Sequence, residues 1–229
     1  MKFLKKGFTL AEVLITLGII GIVAALTIPT LMSKYREKET ITKLKKANTL
    51  LSQIYLAAQA DNGLYSFSDT PQQSEVEEFF NTYWKPYIKI LKECNTYKAC
   101  GYDTAKPFKY LNGTNSDYYL VYTGRKAFIT QDNVVYMVIV FSVINSSRKE
   151  YAYEHRIWVD VNGGKGPNLF GKDVFIFKYV TNKTVFPAGY ELSDSKLLCT
   201  KNNTGQGSYC AERIRRNDWK IPDDYPVKF

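Results

Sequence analysis

The chain has 229 residues, a formal net charge of +9, and 15% aromatic residues. This length allows one N-terminal stem and a single globular head that buries a core. A basic chain can attract nucleic acid, but the sequence contains no RNP, zinc-finger or helix-turn-helix signature, so we interpret the charge as a solvated surface and nucleic acid as a disfavoured partner. The sequence also contains no Walker loop, nucleophile elbow, H-E-x-x-H or dinucleotide motif, and its single histidine, His155, lies within a strand pattern. An enzyme is therefore not expected.

The N-terminal segment is the most informative part of the chain. Three lysines precede Gly7, and an apolar run then extends from Phe8 to Met32 with Glu12 as its only ionisable side chain. A helix of about 20 apolar residues is long enough to cross a bilayer. A charge at the centre of such a helix costs about 2.5–3.5 kcal/mol and less near its end, so Glu12 indicates a function.

The segment Gly7-Phe8-Thr9-Leu10-Ala11-Glu12 resembles the processing site of type IV prepilins and type II secretion pseudopilins. The resemblance implies cleavage after Gly7, methylation of the new N-terminal Phe8, and a role for Glu12 in filament assembly. It implies as partners other pilin or pseudopilin subunits, a prepilin peptidase/methyltransferase, an inner-membrane assembly platform and the lipid bilayer. Gly21 and Pro29 stand where type IV pilins carry helix-weakening residues, so we expect a kink or local opening there.

Three other interpretations fit this segment less well. A plain single-pass anchor has the right length but gives no role to Glu12. A secretory signal peptide has an apolar core of about 7–15 residues followed by an A-x-A cleavage site, and here the run is longer and no such site follows. A lipoprotein needs a cysteine at the cut, and the first cysteine is Cys94.

The helix is predicted to continue beyond the apolar run. Apolar residues recur at three- and four-residue steps from Ile41 to Ala58, and Asn62-Gly63 is a stop signal. We therefore divide the chain into a leader at 1–7, a transmembrane half-helix at 8–32, an amphipathic stem helix at 33–62 and a globular head at 63–229.

The head is predicted to be rich in β-structure. Residues 75–92 have a second helical pattern that Pro86 interrupts. Five segments rich in β-branched and aromatic residues predict strands at Tyr118–Tyr122, Ala127–Thr130, Val134–Ser142, Ala152–Val161 and Val174–Val180. A short basic helix, Tyr209–Arg216, precedes the C-terminal tail. The predicted fold class is α+β and pilin-like: a long N-terminal helix packed on a small antiparallel sheet.

The four cysteines form two local couples, Cys94 with Cys100 and Cys199 with Cys210. Neither spacing is a C-x-x-C motif. We favour disulfides with local pairing among the three possible connectivities. Lysines flank the apolar run on both sides, so the positive-inside rule does not fix the topology. The cysteines favour a head on the oxidising side of a bacterial inner membrane, in agreement with the resemblance, and a periplasmic or extracellular filament.

The segment 159–175 resembles a D-x-N-G-x-K-G-P-N-x-x-G-x-D-x-F loop of pseudopilin-like proteins. Asp160, Asn162 and Asp173 offer oxygen ligands for calcium. Lys165 and Lys172 would oppose a cation, and the EF-hand loop is absent, so a structural turn is the favoured interpretation. No other cofactor is expected.

These observations favour a structural subunit of a type IV pilus or type II secretion-like filament. Two alternatives stay open. One is a tip or minor pilin that binds DNA or a surface, and the other is a membrane-anchored ectodomain that does not polymerise.

Overall fold

The structure is a computed structural model that describes residues 7, 9–68, 71–145, 150–180, 183–201 and 207–229, with the backbone alone for 142–145 and 150–154. The chain divides into a first unit, which ends at Glu39 and includes Phe229, and a second unit, Thr40–Lys228. The second unit contains the sheet and all the buried core residues of the described chain.

Helix α1 runs from Leu10 to Asn62. Its C-terminal part has one buried face, formed by residues at three- and four-residue steps: Leu44, Ala47, Leu51, Ile54, Tyr55 and Ala58. Fully burying a leucine, isoleucine or aromatic side chain stabilises a protein by about 1.5–3 kcal/mol, so this face fixes the C-terminal part of the helix to the sheet. The helix ends at the predicted stop, because Gly63 adopts a φ of 77° that a side chain would disfavour.

Helix α2, Gln73–Tyr83, buries Val76, Phe79, Phe80 and Tyr83 against the same core as α1. A single 3₁₀ turn, Lys85–Tyr87, follows it. Pro86 lies in that turn, where its missing N–H costs nothing. The predicted interruption at Pro86 therefore separates two short helices.

Six antiparallel strands form one sheet in chain order: β1 Ile90–Glu93, β2 Arg125–Thr130, β3 Val135–Asn145, β4 Glu150–Asp160, β5 Val174–Tyr179 and β6 Val185–Pro187. Each strand pairs with the next, so the sheet is a simple meander. The longest pairing joins β3 and β4, from Val135 opposite Asp160 to Asn145 opposite Glu150. Residues at the far end of this pair extend beyond the register of β2 and β5.

Both faces of the sheet are covered. Alternate residues such as Phe128, Val138 and Ile157 face α1 and α2, while their neighbours, such as Ile129, Met137 and Trp158, face the connection between β1 and β2. The strands are therefore apolar on both sides, which is why they read as continuous β-branched and aromatic runs.

Helix α3, Cys210–Arg216, packs Ala211 and Ile214 on the same core as α1. Glu212 in its first turn is fully buried. Its carboxylate pairs with Arg215 at 2.7 Å and Arg216 at 2.8 Å, so the buried charge is compensated.

This architecture confirms the predicted α+β, pilin-like fold class with a long N-terminal helix and an antiparallel sheet. Three details differ. Tyr118–Tyr122 is not a strand, because its backbone groups bond to separate partners and not to one neighbouring strand: the Leu120 N–H donates to the Ala105 carbonyl at 3.0 Å, and the Tyr122 carbonyl accepts from the Arg125 N–H at 3.1 Å. The short edge strands β1 and β6 were not predicted: β1 pairs with a strand distant in sequence, and β6, which pairs with the neighbouring β5, has only three residues, too few for a pattern.

Candidate functional site

The predicted processing site lies at the start of α1. Gly7 is exposed, while Phe8 lies outside the described residues. The Glu12 carboxylate accepts hydrogen bonds from the Thr9 backbone N–H at 2.8 Å and from the Thr9 hydroxyl at 2.7 Å. The Glu12 N–H donates back to the Thr9 hydroxyl at 3.2 Å. Thr9 and Glu12 therefore form a capping box that satisfies two free donors at the beginning of the helix.

The first half of α1 is not covered by any other described part of the chain. Its large apolar side chains from Leu10 to Met32 are between 41% and 79% exposed. Within the described residues, α1 is the one helix long and apolar enough to cross a membrane by length and composition. An exposed apolar stripe of this length requires a lipid or protein environment.

Gly18 and Gly21 lie within this uncovered part of α1. A Cβ atom built at either position meets nothing within 4 Å, so packing inside the chain does not require glycine there. Pro29 also lies inside the helix. Bending or local opening at Gly21 and Pro29 stays a prediction.

The two cysteine couples form disulfides in the structure. Cys94 joins Cys100 with a Cα–Cα distance of 5.4 Å, and Cys199 joins Cys210 with a Cα–Cα distance of 4.9 Å. This is the local pairing that the sequence favours. All four side chains are buried, and the second bridge ties the segment before α3 to its first residue.

The structure brings together the three residues considered as calcium ligands. The Asn162 backbone N–H donates to Asp160 at 3.1 Å, and the Asn162 side-chain amide donates to Asp173 at 3.2 Å. Asp160 also accepts a bond of 2.7 Å from the Tyr102 hydroxyl. Asp173 accepts bonds from the N–H groups of Asn168 and Leu169.

Burial dominates the electrostatics of this loop. It raises the pKa of Asp160 well above its usual value, and the charge of Asp173 raises it further. Burial also raises the pKa of Asp173, although its hydrogen bonds from Leu169, Asn168 and Asn162 oppose that shift. The two carboxyl groups are thus stabilised in their protonated form relative to free aspartate.

The fit of this loop to a cation is mixed. The side-chain oxygens of Asn162 and Asn168 are buried without a hydrogen-bond partner, as free oxygen ligands would be. The carboxylates, however, are already held by Tyr102 and by backbone N–H groups. Among the described residues no group of three or more His, Cys, Asp or Glu side chains is arranged to hold a metal. Calcium binding at Asp160, Asn162 and Asp173 stays a prediction.

His155, the only histidine, is buried on β4 among aromatic rings. Its ring centroid lies 5.0 Å from that of Phe79, 6.1 Å from that of Trp84 and 6.5 Å from that of Tyr55. Burial lowers the pKa of His155 to about 3. The imidazole is therefore neutral at physiological pH and belongs to the core between the helices and the sheet.

The sequence reasoning missed Thr9. The signal was present, because Thr9 and Glu12 have the T-x-x-E spacing of a capping box directly before an apolar run.

The comparisons with known proteins agree with this arrangement. Residues 2–28 match the family model described as "Prokaryotic N-terminal methylation motif". Together with the fold, this match defines the chain as a type IV pilin-like or pseudopilin-like precursor. Residues 30–229 match the model described as "Family of unknown function (DUF6613)", and because this match covers most of the chain, the protein belongs to that family. No curated protein and no solved structure matches the chain.

Proposed function

We propose that the protein is a structural subunit of a type IV pilus or type II secretion-like filament. A prepilin peptidase cleaves the chain after Gly7 and Phe8 becomes the methylated N-terminus. The apolar part of α1 first holds the subunit in the inner membrane through a single crossing and then packs among the helices of neighbouring subunits. The head lies outside the cytoplasm, where the two disulfides are stable. The protein serves as a building block and performs no catalysis.

The observation that carries this proposal is a single carboxylate, Glu12, within the uncovered apolar part of α1. Glu12 lies beside side chains that are more than half exposed, such as Leu14 and Ile15. A plain anchor would be more stable in the bilayer without this charge. In a filament the carboxylate can form an ion pair, because a cationic group is created when the leader is removed.

Cleavage creates that partner in the form of the Phe8 amino group. The group is cationic, and methylation leaves it so. Pairing of this cation with Glu12 of the same or a neighbouring subunit removes the cost of an unpaired carboxylate, and a pair between neighbouring subunits also fixes the axial register of the stems. In the isolated subunit, the Glu12 carboxylate instead accepts hydrogen bonds from the Thr9 N–H at 2.8 Å and the Thr9 hydroxyl at 2.7 Å.

The helix surface supports tight packing of stems. The open space around Gly18 and Gly21 lets the backbone of another helix approach closely. Because no contact within the described chain uses these glycines, their benefit is assigned to contacts with other subunits.

The charge of Glu12 can be tested separately from its capping role. Glu12→Gln keeps an acceptor for Thr9 but removes the charge, whereas Glu12→Ala removes both. We expect both variants to insert and lose the leader, and both to be absent from sheared filaments. Glu37→Gln, in the stem outside the apolar run, is the matched control and should be incorporated normally. Normal incorporation of Glu12→Gln would contradict the electrostatic mechanism.

The processing site has its own test. Gly7→Val should keep the leader, detected as a heavier chain in mass spectrometry of the membrane fraction. Loss of an N-terminal segment from this variant at the normal rate would show that cleavage does not depend on Gly7 and would contradict the assigned processing site. If processing is normal but filaments never form, the protein is a membrane-anchored ectodomain that does not polymerise.

A further inference from the structure

A cavity of about 300 Å³ opens on the head between α2 and the segment that leads into β2. Its lining includes Gln73, the first residue of α2, and Asn95, which follows Cys94 of the first disulfide. Tyr122, which precedes β2, and Arg125, the first residue of β2, also line it. The Gln73 side chain accepts a 2.7 Å bond from the Gly124 N–H, which fixes α2 to this segment. A Cβ atom at Gly124 would lie 2.6 Å from the Val140 carbonyl oxygen, so the backbone is held closely on both sides.

Arg125 is the exceptional side chain of this cavity. It is partly buried, and its Nη1 donates to the Tyr119 carbonyl oxygen. Its Nε is buried without a hydrogen-bond partner, and no carboxylate of the described chain pairs with it. A guanidinium has five donors and remains charged. Here the enclosed Nε is out of a ligand's reach and Nη1 already serves Tyr119, so the remaining donors of the two terminal nitrogens are the ones left for an anion.

The neighbouring cations differ from Arg125 in this respect. Lys126 pairs with Glu77 at 3.1 Å, and Lys85 pairs with Glu93 at 2.7 Å. Burial lowers the pKa of Arg125, and the groups that oppose this shift are the phenols of Tyr118 and Tyr122 rather than a carboxylate. The cavity therefore contains one uncompensated cation beside carboxylates that already have partners.

Three tyrosines surround the guanidinium. Tyr118, Tyr119 and Tyr122 are 37%, 40% and 60% exposed. The Arg125 Cζ lies 5.9 Å from the ring centroid of Tyr118 and 5.6 Å from that of Tyr122. Tyr119 stacks on Tyr122 with centroids 5.6 Å apart, and the Lys106 ammonium lies 4.7 Å from the Tyr119 ring centroid. Exposed aromatic rings next to a cation are typical of binding surfaces.

We infer that this cavity binds an acidic carbohydrate, with a uronic-acid carboxylate on the Arg125 guanidinium and a sugar ring against Tyr122. The planar fork of arginine matches a carboxylate bidentately. The apolar C–H face of a pyranose ring packs on a tyrosine ring, and its hydroxyl groups donate to the side-chain oxygens of Glu77, Gln73 and Asn95.

The same features disfavour a polynucleotide. Glu77 and Glu93 line the cavity and would repel a chain of successive negative charges, whereas they accept hydrogen bonds from the neutral hydroxyls of a sugar that carries a single carboxylate. The cavity offers one unpaired cation, which suits one carboxylate rather than a phosphate chain. This inference concerns the head alone and does not depend on filament formation.

The test is isothermal titration of the full chain in detergent micelles with the methyl glycosides of galacturonic acid and of glucuronic acid, each with one carboxylate, and with the uncharged methyl ester of the first. We expect at least one acid to bind and the ester to bind roughly tenfold or more weakly, since a charge-assisted bond is lost. Absence of binding by both acids at millimolar concentration would overturn the inference. A decamer of thymidylate that binds more tightly than both acids would overturn it in favour of nucleic acid.

Substitutions at Arg125 and Tyr122 test whether the acid binds in this cavity. Arg125→Gln should reduce acid binding roughly tenfold or more, and Arg125→Lys, which keeps the charge without the fork, should fall between that variant and the native chain. Tyr122→Ala should weaken binding of acid and ester alike. Tyr35→Ala is the matched control, because Tyr35 is 62% exposed and lies on the stem. Unchanged binding in Arg125→Gln or in Tyr122→Ala, or equal loss in Tyr35→Ala, would contradict the assignment.

Discussion

The buried imidazole of His155 gives the head a calculable dependence on pH. The folded state holds this group at a pKa of about 3, while an unfolded histidine titrates near ~6.5. Below the unfolded pKa, the unfolded state binds one more proton than the folded state. The contribution of His155 to stability is therefore complete above that value and is lost as the pH falls toward 3.

The magnitude follows from the difference in pKa. Each pH unit between the two values removes about 1.4 kcal/mol, so the free energy of unfolding should fall by about 2 kcal/mol between pH 7.5 and pH 5 from this group alone. Asp160 and Asp173 act in the opposite direction, because their raised pKa values favour the folded state in acid. The contribution of His155 must therefore be measured as a difference between the native chain and a variant.

The variant is His155→Phe, which places a similar ring among Phe79, Trp84 and Tyr55. Denaturant unfolding of both proteins in the same detergent at pH 7.5 and pH 5 gives the difference directly. The native chain should lose about 2 kcal/mol more than the variant over this interval. The chain has no other histidine, so no second imidazole confuses the comparison. His155→Gln, which also does not titrate, should give the same difference, and equal pH profiles for native and variant chains would refute the reasoning.

Two further changes test the packing of the head. Gly164→Ala places a Cβ atom 1.9 Å from the Gly101 carbonyl oxygen, so the loop must move and the free energy of unfolding should fall by about 2–3 kcal/mol. Gly166→Ala, whose Cβ meets nothing within 4 Å, is the control. Equal thermal midpoints for the two variants would contradict the contact. Glu212→Gln removes the buried charge between two partly exposed arginines and should lower the free energy of unfolding by about 2–3 kcal/mol in a denaturant titration. Glu191→Gln, on the exposed surface, is the control and should leave stability unchanged. Unchanged stability in Glu212→Gln would show that the ion pairs contribute little.

Helices were the most predictable part of the fold because their signals are local. The apolar steps from Ile41 to Ala58 defined the buried face of α1, and Asn62-Gly63 marked its end. Pro86 separated α2 from the following turn for a reason that is independent of tertiary structure.

The strands were predictable only where both faces are buried. In β3 and β5, continuous β-branched and aromatic runs gave a clear pattern. Tyr118–Tyr122 has the same residue types, but its rings lie around Arg125 instead of in a sheet. Composition did not separate these cases, because pairing depends on residues distant in sequence.

The candidate sites show the same division. Glu12 and the cysteine couples stand out because each signal is confined to a short segment. The hydrogen bond from Tyr102 to Asp160 joins residues 58 positions apart, and no pattern in the sequence predicts it. The cavity at Arg125 likewise requires α2, the disulfide loop and the start of β2 to meet.

The most direct test of the filament proposal is the mass of the mature N-terminus. Mass spectrometry of the protein from membranes that contain a prepilin peptidase should find a chain that begins at Phe8 with one added methyl group. A parallel sample without the peptidase should keep residues 1–7. A mature chain that still begins at Met1, or one cut after the apolar run, would contradict the account.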